Sequence, residues 1–280
     1  MSVEVMRVGD DRIVVAEAGG DAVEACGLAA ERYATLREAG ERVLLARSPE
    51  DAQAHEAASR GERLPRSTVW IGQCSNTWRS DLNLPVDYVR TTGPADMAGA
   101  TVVQRHPTLC PWMAGIPGTV GGWIKMNAGA FGHSFSEALE AVQVGDAWLS
   151  AADCGFGYRT SRIVGEIVDF RLRKEPLRTQ DGLGPSDYLA RRKRFPAGTF
   201  GSTFKNPPGD FAGRLLEAAG AKGLTVGGVR VWSEHANVIV RGVDATPSDA
   251  LAVIWLMRRA VWARFGVALE PEVCGIASAK

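Results

Sequence analysis

Three short segments hold side chains that could do chemistry. Gly155-Phe156-Gly157-Tyr158-Arg159-Thr160-Ser161 presents Arg159 among glycines and hydroxyls. A planar guanidinium suits a carboxylate or an enolate oxygen, because its fixed N–H donors match oxygen lone pairs. Gly201-Ser202-Thr203-Phe204-Lys205-Asn206-Pro207-Pro208-Gly209 presents Ser202 close to Lys205 and Asn206. A serine hydroxyl is a poor acid, so it can deliver a proton only to a strongly basic carbanion, or with a water chain behind it. Gly266-Val267-Ala268-Leu269-Glu270-Pro271-Glu272-Val273 presents two carboxylates, and a carboxylate beside an arginine is stabilised in its charged form. A fourth stretch has no reactive side chain. It runs Gly115-Ile116-Pro117-Gly118-Thr119-Val120-Gly121-Gly122 and then Met126-Asn127-Ala128-Gly129-Ala130-Phe131-Gly132. Its backbone can pass close to a pyrophosphate or a planar ring without Cβ clashes. Taken singly, each segment has a plainer reading: a structural salt bridge, a turn serine, a glycine-rich loop.

The elements that must position these residues are legible in part. Residues 1–17 alternate as one or two strands, 21–43 read as helix, and Val43–Ala46 as a short strand. Ser48 is a helix N-cap with Pro49 in the first turn. Residues 68–72 (TVWIG) read as a buried strand, so strand, helix and strand from 43 to 72 form a βαβ unit. Short strands are expected near 139–149 and 163–173, and a linker over 174–187. A helix over 210–219 should stop at Gly220. A strand at 237–240 precedes Thr246-Pro247-Ser248-Asp249, which has the N-cap, N1 proline and N3 acid of a helix start. That helix runs to Gly266, with Leu251, Ile254, Trp255, the stem of Arg258 and Trp262 as its core-facing stripe.

Bulk properties exclude several function classes. A chain of 280 residues suits two or three subdomains. Lys+Arg and Asp+Glu are both 32, and a chain with no basic excess is a poor candidate for binding nucleic acid. No apolar run is long enough to span a bilayer, and the N-terminus carries charges where a signal peptide needs an apolar stretch. Cys26, Cys74, Cys110, Cys154 and Cys274 form no CxxC pair, and the histidines form no metal motif. The expectation is a cytoplasmic enzyme with no metal, no nucleic-acid partner and no membrane partner, of unknown oligomeric state.

Read as whole strings, the segments resemble one family. GIPGTVGG with MNAGAFG, FGYRTS, GSTFKNPPG and LEPEV are similar to signatures of the UDP-N-acetylenolpyruvoylglucosamine reductase (MurB) family, and residues 220–240 resemble it throughout. The resemblance is close over 112–276 and partial before 112. It implies an α+β, MurB-like fold: a vanillyl-alcohol-oxidase-type FAD-binding fold, shortened, with a C-terminal MurB substrate-binding domain. The expected divisions are 1–92 and 93–186 for two FAD-type subdomains and 187–280 for the substrate domain. By resemblance the catalytic residues are Ser202, as proton donor, with Arg159 and Glu272. Tyr158, Lys205, Asn206, Trp123, Trp232, His235 and Asn237 are expected to bind substrate. If flavin is retained, Ser75, Asn76, Gly115, Ile116, Pro117, Gly118, Thr119, Gly121, Gly122, Asn127 and Gly129 would line it.

Four departures from the family pattern shape the functional expectation. The family's GGGSN phosphate cradle reads Gly72-Gln73-Cys74-Ser75-Asn76. The stretch from Asn76 to Gly115 is much shorter than the family's usual spacing. Trp123 follows the glycine pair where the family has a small residue, and Trp112 sits just before the signature. VSEKHAN becomes Val231-Trp232-Ser233-Glu234-His235-Ala236-Asn237, placing an anion where a cation would favour a diphosphate. These changes favour a flavin-independent cyclase of specialised metabolism that keeps enolate stabilisation and drops the hydride. Such an enzyme would perform an aldol- or Michael-type ring closure, a dehydration or an isomerisation. Its substrate would be a small molecule, apolar or of polyketide or peptide origin, and it would need no cofactor. The alternative is the FAD- and NADPH-dependent reductase of peptidoglycan synthesis, and a third reading is a non-catalytic binding protein on the same fold.

Overall fold

The structure, a computed structural model, describes residues 4–8, 11–16, 22–63, 67–71, 77–79, 86–91, 93–175, 182–192 and 194–276. Among them are seven α-helices: α1 (Ala22–Glu38), α2 (Pro49–Ser59), α3 (Gly99–Arg105), α4 (Val120–Lys125), α5 (Pro185–Arg191), α6 (Ala212–Ala218) and α7 (Pro247–Phe265). The chain gathers into two compact units. One comprises residues 1–67, 76–87 and 195–280, the other 68–75 and 88–194.

In the first unit, Glu4–Val8 pairs antiparallel with Asp11–Val15, which pairs parallel with Val43–Ala46. The parallel pair is joined through α1, so the βαβ unit lies one element earlier than the sequence suggested. Ser67–Ile71 pairs instead with Val86–Arg90 in a separate sheet. A run of apolar residues announces a strand but not its partner. The Ser48 cap forms as expected, its hydroxyl accepting from the Asp51 N–H. A second sheet orders Thr225–Val226, Val229–Val231 and Ile239–Arg241 antiparallel.

Helix α7 organises this unit. Thr246 Oγ1 accepts from Asp249 N at 3.0 Å, and the Asp249 carboxylate accepts from Thr246 N at 2.9 Å. Asp249 is buried and also accepts from Tyr33 Oη (2.8 Å) and Gly228 N (3.3 Å), with Arg37 Nε at 3.4 Å. The capping box therefore joins three elements: the start of α7, helix α1 and the 227–228 turn. Gly227 must lack a Cβ because that atom would meet the Asp249 carboxylate. Leu251, Ile254 and Trp255 of the expected stripe are buried, but so are Val253, Met257 and Val261, while Arg258 and Trp262 are half-buried. The apolar face is wide because α1, α6 and the 225–231 hairpin all pack on α7.

Within this unit the N-terminal and C-terminal stretches share one core. Val14, Ala29, Tyr33 and Leu45 from the N-terminal stretch pack with Phe204, Leu216, Val253 and Leu269 from the C-terminal one. In the second unit, Ala147–Ser150, Leu139–Val144 and Ile167–Leu172 form an antiparallel sheet, with Leu139–Val144 in the middle. Trp112, Trp123, Ile124, Phe135, Leu139 and Tyr188 lie in its core. The expected linker ends in helix, since α5 begins at Pro185.

Candidate functional site

The glycine-rich stretch folds as a turn into a short helix. Thr119 caps α4, its hydroxyl accepting from Gly122 N at 3.2 Å. Gly118 holds φ 108°, a conformation that a side chain would strain. The N–H groups of Gly118, Thr119 and Gly121 have no acceptor among the described residues. Gly122 is exposed, and a Cβ there would find open space apart from the Thr119 hydroxyl. Thr119 and Gly121 are themselves buried, so the open backbone here is that of Gly118 and Gly122, and such glycine backbone can approach an anion or a planar polar ring. Other glycines serve the fold. A Cβ on Gly129 would run into the His133 carbonyl of its own hairpin.

Trp123 is oriented away from this surface. It is 1% exposed, donates from Nε1 to Pro117 O at 2.9 Å and meets Phe135 edge-on at 5.4 Å. Gly99 gives it room, since a Cβ there would overlap its indole. Trp112 is fully buried as well and stacks on His133 at 4.6 Å. Both indoles fill the core, so Trp123, expected to bind substrate, is turned inward: an indole beside so many small residues gains more by filling the core.

Asn127, expected at a cofactor, bonds within the protein. It is buried at φ 44°, donates from Nδ2 to Gly157 O at 2.9 Å and accepts at Oδ1 from Ser136 N at 3.1 Å. It thereby fastens the 155–161 loop to the glycine-rich stretch. Ser161 adds a bond to Lys125 O at 2.7 Å. On that loop Arg159 adopts φ 54°, rare for a residue with a side chain, and such strain concentrates at functional sites. Its guanidinium donates to Gly129 O at 2.6 Å and lies 5.1 Å from the ring centroid of the exposed Tyr158.

The sequence reading missed a neighbouring cluster. Phe131 is exposed at φ 56°, its ring 5.1 Å from Tyr188, with the Arg192 guanidinium 5.5 Å from its centroid. Arg192 donates to Ala114 O (2.9 Å) and Trp112 O (3.0 Å), and burial lowers its pKa from the ordinary guanidinium range. The signal was an aromatic residue between Ala130 and Gly132 inside the motif.

In the first unit, residues 202–205 run between two other segments. Ser202 bridges Val238 on one side, and Phe204 bridges Pro271 on the other. Thr203 N donates to Asn237 O at 2.8 Å, Glu272 N donates to Thr203 O at 2.8 Å, and Lys205 N donates to Glu270 O at 2.9 Å. Ser202 and Glu272 are thus carried on adjacent backbone segments. Lys205 is ion-paired with Glu270, which leaves the first carboxylate of LEPEV occupied with a cation. Asn206 accepts at Oδ1 from Ala212 N and so begins α6. Asn237, expected to bind substrate, is 3% exposed and turned inward, with both ends of its carboxamide on the Phe204 backbone. Trp232 and His235 are half-buried, with Phe195 edge-on to them at 6.1 and 6.3 Å. Ser75 and Asn76, with the rest of the altered cradle, lie outside the described residues. Among the described residues no group of His, Cys, Asp and Glu could hold a metal ion, and no helix is long and apolar enough to cross a membrane.

Comparison with known proteins sets this geometry in context. Residues 193–276 match a family model described as the C-terminal domain of UDP-N-acetylenolpyruvoylglucosamine reductase. A relative of that name from Myxococcus xanthus (strain DK1622) is 36% identical over 267 residues, covering 84% of this chain and 86% of the relative. One from Anaeromyxobacter sp. (strain Fw109-5) is 43% identical over 173 residues, but this alignment spans only 54% of the relative. The crystal structure of the Thermus caldophilus UDP-N-acetylenolpyruvylglucosamine reductase (MurB) superposes with a TM-score of 0.63 at 25% identity.

These findings correct the functional expectation. Relatives at 34–43% identity are named reductases, which overturns the flavin-independent cyclase and removes the support for an apolar polyketide or peptide substrate and for a cofactor-free site. The Thermus match covers 98% of this chain and 99% of that one. The fold of a reductase is therefore shared along nearly the whole chain. The chain belongs to the UDP-N-acetylenolpyruvoylglucosamine reductase family.

Proposed function

We propose that this chain is the FAD- and NADPH-dependent reductase of UDP-N-acetylenolpyruvoylglucosamine, acting in the cytoplasm in peptidoglycan synthesis. The observation that carries the reading is the clamp around residues 202–205, which sets the segments bearing Ser202 and Glu272 side by side through the bond from Glu272 N to Thr203 O. The strained turn that presents Arg159 supports it independently.

The open backbone fits a flavin. The free amide of Gly118 would hold its polar ring edge or its pyrophosphate, and Gly122 would leave the approach clear. FAD supplies, when bound, the relay of a hydride from NADPH to the enol ether. The protein's own residues then manage charge and protons. Arg159 binds the substrate carboxylate and stabilises negative charge as it grows on the enolate oxygens, where a preorganised cation acts most strongly. Ser202 gives its hydroxyl proton to the α-carbon, and the basicity of that carbanion makes so weak an acid competent. Glu272 shares in holding the enolate in its protonation balance. The altered 231–237 stretch places the exposed Glu234 near Trp232, so substrate binding here relies less on a cation at that turn.

The test is turnover by the purified, FAD-loaded protein. NADPH should be consumed only when the enolpyruvyl nucleotide sugar is present, and the product should be heavier by two hydrogen atoms in mass spectrometry. Loaded protein that consumes no NADPH with this substrate would refute the proposal.

A further inference from the structure

We propose that Asn237 is a positioning residue for Ser202, and that its carboxamide, rather than binding substrate, fixes the backbone from which Ser202 delivers its proton. The inference rests on the reading of Ser202 as proton donor.

Asn237 makes three bonds to the two residues that follow Ser202. Its backbone oxygen accepts from Thr203 N at 2.8 Å. Its Oδ1 accepts from Phe204 N at 2.9 Å, and its Nδ2 donates to Phe204 O at 2.8 Å. A carboxamide that serves the N–H and C=O of one residue replaces a strand partner at that point. It does so because the chain switches partners there: Ser202 bridges Val238, whereas Phe204 bridges Pro271. Thr203 is the pivot, with its N–H turned to Asn237 and its carbonyl turned to Glu272. Without the carboxamide, both backbone groups of Phe204 would be left in the interior without a partner, at the point where Ser202 and Glu272 are brought onto neighbouring segments. The residues around the clamp are themselves fixed. Phe204 is buried in the core, and Asn237 N donates to His235 Nδ1 at 3.2 Å.

The consequence for chemistry is geometric. A serine hydroxyl has one side-chain torsion with three staggered positions, so its reach is set by its backbone. A displacement of about 1 Å from productive geometry can cost about 100-fold in rate. Only a group that accepts on one atom and donates from the other can hold the clamp. This gives Asn237→Asp a distinctive signature. An ionised carboxylate accepts from Phe204 N but repels Phe204 O, whereas a protonated carboxyl again accepts and donates. Burial and the facing carbonyl raise the pKa of such an acid. The charged and titratable groups bearing on it are His235 on its own turn, and Glu272, Lys205 and Glu270 on the segments packed beside it.

Steady-state kinetics of Asn237→Asp should show kcat reduced at least about 30-fold at about pH 8 while KM changes less than about threefold. The ratio of variant to wild-type kcat should then rise at least about tenfold by about pH 6. Asn237→Ser, which cannot hold the clamp in any protonation state, should show the same loss with a ratio that does not change with pH. A pH-independent ratio for Asn237→Asp, near-normal kcat in both variants, or equal losses in kcat and in binding would each overturn the proposal. So would failure of both to fold by circular dichroism, since the carboxamide would then serve the fold alone. Ser202→Ala separates this proposal from the reading beneath it. If Ser202→Ala turns over normally, the proton-donor role fails; if it is inactive while Asn237→Asp is normal, only the clamp fails.

Discussion

At the residue scale, the same side-chain type serves opposite ends. Asn127 and Asn237 were read as ligand contacts because they stand inside signature strings, yet each is buried and braces the loop that carries a candidate catalytic residue. Sequence shows that an asparagine belongs to a motif; only the paths of the neighbouring backbones show where its carboxamide bonds. The tryptophans illustrate the same limit, because Trp123 stands in the motif but fills the core. Arg159 and Glu272 are different, since their charge is the function proposed for them. Arg159→Ala and Glu272→Gln should each lower kcat/KM by at least about 1,000-fold, with the melting temperature nearly unchanged. Near-normal rates in both would remove them from the mechanism. A second expectation concerns pH. Burial pushes the Cys110 thiol from 9.0 up to about 12. The fold favours the neutral thiol, so its contribution to stability is complete below pH 9.0 and is lost as pH rises towards about 12. Alkylation followed by mass spectrometry should find Cys110 unmodified in native protein below pH 9.0 and fully modified once the protein is unfolded.

At the element scale, helix termini were the most legible features. Ser48, Thr246 and Gly266 occupy the cap positions that their types and spacing announce, and the left-handed φ of 64° at Gly266 closes α7. Caps are read easily because they are local: one side chain answers backbone groups three residues away. Strand partners and the extent of a buried face are not local. That is why the βαβ unit lies at 11–46 and not at 43–72, and why α7 buries Met257 and Val261 beyond its expected stripe. The Asp249 hub could not be read at all, since Tyr33 and Arg37 reach it from α1 across more than two hundred residues of sequence. Thr246→Ala should therefore cost about 1 kcal/mol, as for an ordinary cap, whereas Asp249→Ala should cost about 3 kcal/mol or more by leaving buried donors and Arg37 uncompensated. Urea titrations of both variants would measure the difference, and equal losses would reduce Asp249 to a cap alone.

At the scale of the whole molecule, family membership was legible and the activity was misjudged. The motif strings from 112 onward sufficed to place the chain, because long strings of constrained residues seldom recur by chance. The error lay in treating every departure from a family pattern as lost function. A Thermus reductase aligns with this chain over almost the full length of both, and the inserted indole went into the core. Whether the second unit takes up a flavin is the question on which the account turns. The most direct measurement is the visible absorption spectrum of the purified protein incubated with FAD and freed of excess, recorded before and after anaerobic addition of NADPH. The account predicts a yellow protein whose flavin band bleaches with NADPH and returns when the enolpyruvyl nucleotide sugar is added. A colourless protein that retains no FAD would contradict it.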